Sequence, residues 1–282
     1  MRRAASLFAL ALACCITIAA APARAAAPGW SVVTADDSEL TRRIERDLYA
    51  RLARIARLPQ KVTIAIGPVA LRRAVTQRRE GMVFSAYTSS QVLHQVIAKV
   101  DEPYISGIYA EPSPMDQLQL IALLYKRPVA VAAIVSAEAE FLSTLVPGLT
   151  LERIAPEGGD INQALNRVAD VPVLLAWPDR AVFNSENVRN ILLSTYRHGQ
   201  GVIGFSADMV SSGALATTYS TPEDINIQIV ETLAQYEASG QLGPPQFPRY
   251  FRTAINEGLA RSLKVPVSDA ARTFERRPGA AR

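Results

Sequence analysis

The sequence has 282 residues, of which 49% are hydrophobic and 20% are charged, and its mean hydropathy is +0.10. This composition lies outside the disordered, collagen-like and multi-span membrane classes, and the length allows one large domain or two modest ones. The net charge of +4 does not indicate a nucleic-acid partner, because Arg2, Arg3 and Arg24 lie at the very start of the chain. Without them the basic and acidic residues nearly balance, so we expect no nucleic-acid binding.

Residues 1–25 have the form of a secretory signal peptide. Arg2 and Arg3 precede an apolar run from Ala4 to Ala21, and the triplet Ala23-Arg24-Ala25 supplies the small residues of a cleavage site. The alternative is an uncleaved membrane anchor, since the run approaches the ~20 apolar residues that span a bilayer. We predict cleavage after Ala25 and a periplasmic location for the mature protein.

Both cysteines of the chain, Cys14 and Cys15, fall inside this segment. The preceding Ala11-Leu12-Ala13 is a poor lead-in for lipid attachment, so we expect no lipid anchor at Cys14. A mature chain that starts at Ala26 has no thiol. This excludes thiolate catalysis, disulfide bonds and cysteine metal sites.

Strand and helix patterns alternate along the rest of the chain. From Asp37 to Pro59, apolar residues recur every three or four positions between arginines, which predicts an amphipathic helix. Short apolar runs, each followed by a helical pattern, predict the strands 61–66, 82–86, 105–110, 128–135, 171–176 and 201–205. Near-continuous apolar strands are typical of a parallel sheet that helices cover on both faces. The predicted fold class is therefore α/β.

Two helix starts have the same pattern. Ser113 and Thr221 are each followed by a proline and, two residues further on, by an aspartate, which predicts a capping box at both positions. A short apolar segment that begins with a glycine, Gly107 or Gly213, precedes each of them. The two stretches therefore look like equivalent positions in two related halves.

A search for catalytic motifs finds little. The two histidines, His94 and His198, have no motif around them, and the run Gly204 to Asp208 lacks the final glycine of a nucleophile elbow. The dinucleotide-binding, P-loop and zinc-protease motifs are absent from the sequence. We therefore predict a protein that is not an enzyme and needs no cofactor or metal. A hydrolase centred on Ser206 or His198 is the least favoured alternative.

Polar and aromatic residues are concentrated where the predicted strands end. In parallel sheets, ligands bind outside the carboxyl ends of the strands, where helix N-termini offer N–H groups. These loops are the expected place for a pocket, although the hydroxyls can instead be helix caps and the aromatic rings can pack in the core. The loops in question are 85–90, 177–179 and 205–208.

Several segments together resemble a known family, the substrate-binding proteins of ABC transporters. The similarity is to the branch with a type I periplasmic-binding-protein fold that includes aromatic amino acid binders, and it covers about residues 67–267. It rests on the segments Val173–Asp179, Val182–Asn184, Val202–Ser206, Gly213–Ala216 and Arg252–Leu263.

This resemblance implies two Rossmann-like α/β lobes with parallel sheets, joined by a hinge of three crossings. The first lobe would comprise residues 26–111 and 221–241, and the second lobe residues 112–220 and 242–269. We expect residues 270–282 to form a disordered tail. The chain departs from the family at residues 37–59, where a helix stands in place of the expected opening strand, so we expect a trimmed or altered first lobe.

The resemblance also implies a small, amino-acid-like ligand between the lobes and a membrane permease as partner. Asp179 or Asp208 would bind the ligand's ammonium group. A second hypothesis is a periplasmic sensor or accessory protein that signals to a membrane receptor. The predicted ligand-binding residues are Ser85, Tyr87 and Thr88 from the first lobe, and Asp179, Phe183, Ser206 and Asp208 from the second.

Overall fold

The computed structural model describes residues 29–55, 58–78, 80–100, 104–137, 150–153 and 160–279. The predicted signal peptide and both cysteines lie outside the described residues. The described part of the chain forms two sheets with helices on both faces of each, and the predicted α/β class is confirmed.

The first sheet has four parallel strands in the order β1-β2-β3-β4. The strands are β1 Trp30–Val33, β2 Val62–Ile66, β3 Met82–Thr88 and β4 Ile105–Tyr109. The helices that connect them are α1 Glu39–Leu52, α2 Pro68–Gln77 and α3 Ser90–Ile97. Together with the helix Pro222–Ser239, labelled α8, these elements are called the first lobe.

The second sheet has six strands in the order β10-β9-β8-β7-β5-β6, and only β10 runs antiparallel to its neighbour. The strands are β5 Val131–Val135, β6 Thr150–Arg153, β7 Val173–Leu175, β8 Gly201–Ile203, β9 Ala216–Tyr219 and β10 Arg252–Ile255. The helices are α4 Pro114–Tyr125, α5 Ile161–Arg167, α6 Asn187–Arg197, α7 Ala207–Ser212, α9 Glu257–Ser262 and α10 Asp269–Arg272. These elements are called the second lobe.

One helix, α8 Pro222–Ser239, lies in the chain between β9 and β10 of the second sheet but packs on the first sheet. Its residues Ile225, Ile229 and Leu233 share a buried cluster with Leu48 of α1 and Phe84 of β3. The chain therefore passes between the lobes three times, after β4, after β9 and after α8. The lobe boundaries inferred from the family resemblance stay a prediction.

The opening strand that the sequence did not predict is present. β1 pairs with β2 in parallel and precedes α1, so the expectation that a helix replaces the first strand is wrong. The run Trp30–Val33 is only four residues long and contains Ser31, which weakens its strand pattern. The helix itself is confirmed, with Ile44, Leu48 and Leu52 buried.

The connections between the strands of the first lobe nevertheless do not all have the same hand. All three connections step in the same direction across the sheet, but α1 packs on the face of Ile64 and Phe84, whereas α2 and α3 pack on the face of Ala65 and Val83. The connection through α1 therefore has the opposite hand to the other two, although right-handed connections are the strong rule. If all three connections had the same hand, α1 would pack on the other face of the sheet, and α8 alone would cover the face that it now shares with α1.

The two predicted capping boxes differ in outcome. At Thr221 the box is complete, because its hydroxyl accepts from the N–H of Asp224 and the Asp224 carboxylate accepts from the N–H of Thr221. At Ser113 the side chain makes no capping bond. The corresponding acid, Asp116, instead pairs with Arg276 at 3.1 Å.

The expectation of a disordered tail is wrong for residues 270–279, and residues 280–282 lie outside the described part. Ala271 is fully buried within α10, and the ring centroids of Phe274 and Phe251 are 5.0 Å apart. Phe251 and Arg276 exchange two backbone hydrogen bonds, and the Arg276 guanidinium lies 4.9 Å from the centre of the Phe251 ring. The arginines, proline and glycine indicated disorder, but these apolar contacts hold the segment on the second lobe.

We expect Phe274→Ala to lower the free energy of unfolding by about 1–3 kcal/mol, because half-buried ring contacts with Phe251 are lost. The matched control is Glu275→Ala, which removes only an exposed pair with Arg277 and should change stability by less than ~0.5 kcal/mol. Urea unfolding of both variants makes the comparison. Equal stabilities of the two variants would contradict the assignment of this segment to the fold.

Candidate functional site

A cavity of about 270 Å³ lies between the lobes, at the carboxyl ends of the central parallel strands. Each lobe supplies four lining residues. From the first lobe come Pro68, Tyr87, Ser89 and Val92, and from the second come Pro178, Arg180, Phe183 and Phe205.

The chain reaches this cavity wherever a strand gives way to a loop or helix. Pro68 begins α2 just after β2, and Ser89 is the N-cap of α3 just after β3. Pro178 and Phe205 follow the ends of β7 and β8. In a parallel sheet these ends lie at one edge, which is why residues far apart in sequence meet here.

Aromatic side chains form one wall of the cavity. The ring centroids of Phe183 and Phe205 are 5.9 Å apart and their planes meet at 84°, an edge-to-face contact. Both side chains are half-buried, and Val92 is buried. This wall suits an apolar or aromatic group of a ligand.

Tyr87 holds an uncommon backbone conformation at the cavity. Its φ angle is +57°, and the register between β3 and β4 shifts between Ser85 and Thr88. For a residue other than glycine this conformation costs ~1–2 kcal/mol. The hydroxyl lies 2.8 Å from Oδ1 of Asn226 and 3.0 Å from the carbonyl oxygen of Pro222, both on α8. These contacts hold the strained residue, and burial raises the pKa of Tyr87, so the side chain stays a neutral phenol.

Two of the seven sequence-predicted site residues, Tyr87 and Phe183, line the cavity. Ser85 and Thr88 are buried within the first sheet. The Ser85 hydroxyl has no hydrogen-bond partner among the described residues, and the Thr88 hydroxyl lies 3.4 Å from the carbonyl of Ala86. The structure does not bring these two hydroxyls to the cavity.

The predicted second-lobe acids are placed differently from each other. Asp179 is fully buried, and its carboxylate accepts from the N–H of Ser136 at 2.7 Å and from the N–H of Ala181 at 3.0 Å. Asp208 is exposed in the first turn of α7, while Ser206 caps that helix by accepting from Met209 N–H at 3.3 Å. These three side chains do not line the cavity.

Three other lining residues, Ser89, Pro178 and Phe205, lie in the loops that the sequence predicts for a pocket, whereas Pro68, Val92 and Arg180 lie outside those loops. Among the described residues that line the cavity, Arg180 is the only charged one. Its position directly after the predicted strand-end run Trp177-Pro178-Asp179 was the available signal. The sequence also allows Ser89 to be a helix cap, and its hydroxyl oxygen accepts from the Val92 N–H at 3.4 Å.

A buried acid, Glu111, lies where the chain first leaves the first lobe. It is 3% exposed and accepts hydrogen bonds from both the N–H and the hydroxyl of Ser90, the first residue of α3. Burial raises the pKa of Glu111, against the opposing effect of the Ser90 bonds. The N-terminus of α3 is therefore already occupied by a carboxyl group from inside the protein.

A larger cavity of about 580 Å³ lies on the second lobe alone, between α6, α9 and the end of α7. Its wall is mainly apolar, and Leu193 and Tyr196 are about half exposed there. The cavity between the lobes is the better candidate for the functional site, because polar and aromatic groups from several strand ends converge on it.

The histidines lie elsewhere. His94 in α3 places its Nε2 3.1 Å from the hydroxyl of Tyr109, and burial lowers its pKa. His198 is the C-cap of α6. Among the described residues, no group of three or more His, Cys, Asp or Glu side chains is placed to hold a metal ion. None of the described helices is long and apolar enough to cross a membrane.

No family model and no curated protein sequence matches this chain. Solved structures do. A conserved domain protein from Vibrio cholerae is 15% identical with a TM-score of 0.55, over 86% of this chain and 96% of that one. An ABC domain in complex with L-Trp from Streptococcus pneumonia is 14% identical with a TM-score of 0.54, over the same shares.

A third similar structure is a ligand-free, open substrate binding protein with adhesive properties from Clostridium difficile. It is 11% identical with a TM-score of 0.59, over 85% of this chain and 96% of that one. At these identities the similarity establishes the fold. The chain has the two-lobed type I periplasmic-binding-protein fold that the resemblance implied.

We expect Asp179→Ala to lower the free energy of unfolding by about 1–3 kcal/mol, because the buried N–H of Ser136 loses its acceptor. Asp179→Asn keeps one acceptor oxygen, so its free energy of unfolding should lie between those of Asp179→Ala and the unchanged protein. The control is Asp208→Ala, at an exposed position, which should change stability by less than ~0.5 kcal/mol. Chemical unfolding measures all three, and an Asp179→Ala protein as stable as the control would show that the carboxylate is not structural.

We also expect stability to depend on pH through Glu111. Its pKa in the folded protein is raised above the ordinary value of 4.5, so its contribution is complete below pH 4.5 and is lost as the pH rises through the folded-state pKa. Glu111→Gln should remove this part of the fall in stability with rising pH, while Asp208→Asn should keep it. Urea unfolding of the variants from pH 4 to pH 8 tests the expectation, and identical pH profiles for Glu111→Gln and the unchanged protein would refute it.

Proposed function

We propose that the protein is an exported solute-binding protein that captures a small molecule in the cavity between its lobes and delivers it to an ABC-type permease. The observation that carries the proposal is the cavity itself, to which both lobes contribute equally at their strand ends. A site divided between two lobes binds a ligand most tightly when the lobes close on it, which is hinge closure.

The geometry of the fold supports this proposal. Three separate passages of the chain link the lobes, so a change in their relative orientation is confined to short segments. Hydrogen bonds order the cavity wall on each side, because Tyr87 is bonded to Asn226 and the loop after β7 is bonded through Asp179 to Ser136. The signal-peptide pattern of residues 1–25 supports export to the periplasm.

The chemistry of the cavity favours binding over catalysis. The lining residues combine one arginine with aromatic and aliphatic groups, which orient and bury a ligand. Ser206, the candidate nucleophile of the hydrolase alternative, uses its hydroxyl oxygen to cap α7. The hydrolase alternative therefore receives no support from the site.

A thermal-shift screen tests the proposal with amino acids, small carboxylates, peptides, purines and sugars. A ligand at 100 times its Kd adds ~2.7 kcal/mol of stability, which raises the Tm by roughly 5–10 °C for a protein of this size. Phe183→Ala should weaken binding of the hit about tenfold, because part of the aromatic wall is lost.

The matched control for this variant is Leu193→Ala, on the outer cavity of the second lobe, which should leave affinity unchanged. A screen without any hit would count against a solute-binding role. A hit whose affinity falls with Leu193→Ala but not with Phe183→Ala would place binding in the outer cavity instead. Uptake of the hit by cells with and without the gene then tests delivery to a permease.

A further inference from the structure

We infer that the cavity between the lobes takes a small aromatic carboxylate that carries no ammonium group. This inference rests on the proposed function, since it names the chemical class of the solute. It departs from the amino-acid-like ligand that the family resemblance implies. The departure follows from where the charged side chains lie.

The positive charge of the cavity is available to a ligand. Arg180 is exposed, and none of the ion pairs between described residues includes it. Only the carbonyl oxygen of Arg180 has a side-chain partner, Asn184. A guanidinium binds a carboxylate through two parallel hydrogen bonds, which is the strongest recognition this cavity can offer.

The negative charge that an ammonium group needs is absent from the lining described. Asp179 is fully buried, and its two oxygens already accept backbone N–H groups. Asp208 is exposed in α7, and Glu111 is buried against Ser90. An ammonium group next to a carboxylate on Arg180 would therefore meet a like charge and no described acid.

The start of α3 points to the same assignment. Glu111 takes the N–H of Ser90, and the Ser89 oxygen takes the N–H of Val92, so two of the first N–H groups are occupied. The Ser89 hydroxyl proton stays free to donate to a ligand oxygen. The carboxylate is thus assigned to Arg180 with Ser89 as a second donor.

Apart from Tyr87, whose hydroxyl is bonded to α8, the rest of the cavity is apolar, and the cavity is small. Phe183 and Phe205 form the aromatic wall, with Val92, Pro68 and Pro178 around it. The volume of about 270 Å³ is just below the ~300–1,000 Å³ typical of pockets for drug-sized ligands. One aromatic ring with a short carboxylate chain suits this space.

Isothermal titration with four matched compounds tests the inference. They share a phenyl ring and a short chain and differ only in charge: 3-phenylpropionate, 3-phenylpropanamide, 2-phenylethylamine and L-phenylalanine. We expect 3-phenylpropionate to bind most tightly, with the amide and the amino acid each weaker by about tenfold or more. The amine should show no binding.

Arg180→Gln then identifies the group responsible. It should weaken 3-phenylpropionate about tenfold or more and change the affinity for the amide much less, because the variant loses the guanidinium that pairs with the carboxylate. Arg189→Gln, at an exposed arginine on α6, is the matched control and should change neither affinity. The Tm of each unliganded variant checks that it is folded.

The outcomes separate this inference from the proposed function. If L-phenylalanine or the amine binds as tightly as 3-phenylpropionate, or if Arg180→Gln leaves 3-phenylpropionate unaffected, the inference is wrong while solute binding stands. If none of the four compounds binds but the wider screen finds a ligand without a carboxylate, the inference is likewise wrong while solute binding stands. If no compound of either set binds, the proposed function fails and the inference fails with it.

Discussion

The carboxylate of Asp179 holds the loop from which the second lobe supplies most of its side of the cavity. Its two oxygens accept the backbone N–H groups of Ser136, beyond the end of β5, and of Ala181. Pro178, Arg180 and Phe183 flank the aspartate and line the cavity. A buried carboxylate is stable only when such donors replace its water. The same bonds that order the loop therefore also hold the carboxylate away from the cavity lining.

The first lobe orders its side in a comparable way. Tyr87 has a positive φ, and its hydroxyl is held by Asn226 of α8, whose side-chain amide donates to the carbonyl of Ile44 and to the carboxylate of Asp47. The residue that fixes this wall comes from a helix that the chain reaches only after completing most of the second lobe. The shape of the cavity thus depends on the correct association of distant segments.

The sequence predicted the fold class because buried parallel strands are recognisable as short apolar runs. It did not predict the details that tertiary contacts decide, such as the edge strand at Trp30–Val33 or the packing of Phe274 on Phe251. Site prediction was limited by side-chain direction. Tyr87 and Phe183 reach the cavity, but Ser85 is buried inside the first sheet. An aspartate that follows a strand gives the same sequence pattern whether it binds a ligand or, like Asp179, a backbone N–H group.

The altered winding of the first lobe leaves the cavity intact, and the strand order explains why. The unusual connection joins β1 to β2, so it affects the outer edge of the sheet. The residues that line the cavity follow β2 and β3, and the passage to the second lobe follows β4. Because α1 and α8 cover one face while α2 and α3 cover the other, the inner strands keep both faces buried. A lobe with four strands can therefore present the same kind of binding edge as the six-stranded one, since binding depends on where the inner strands end.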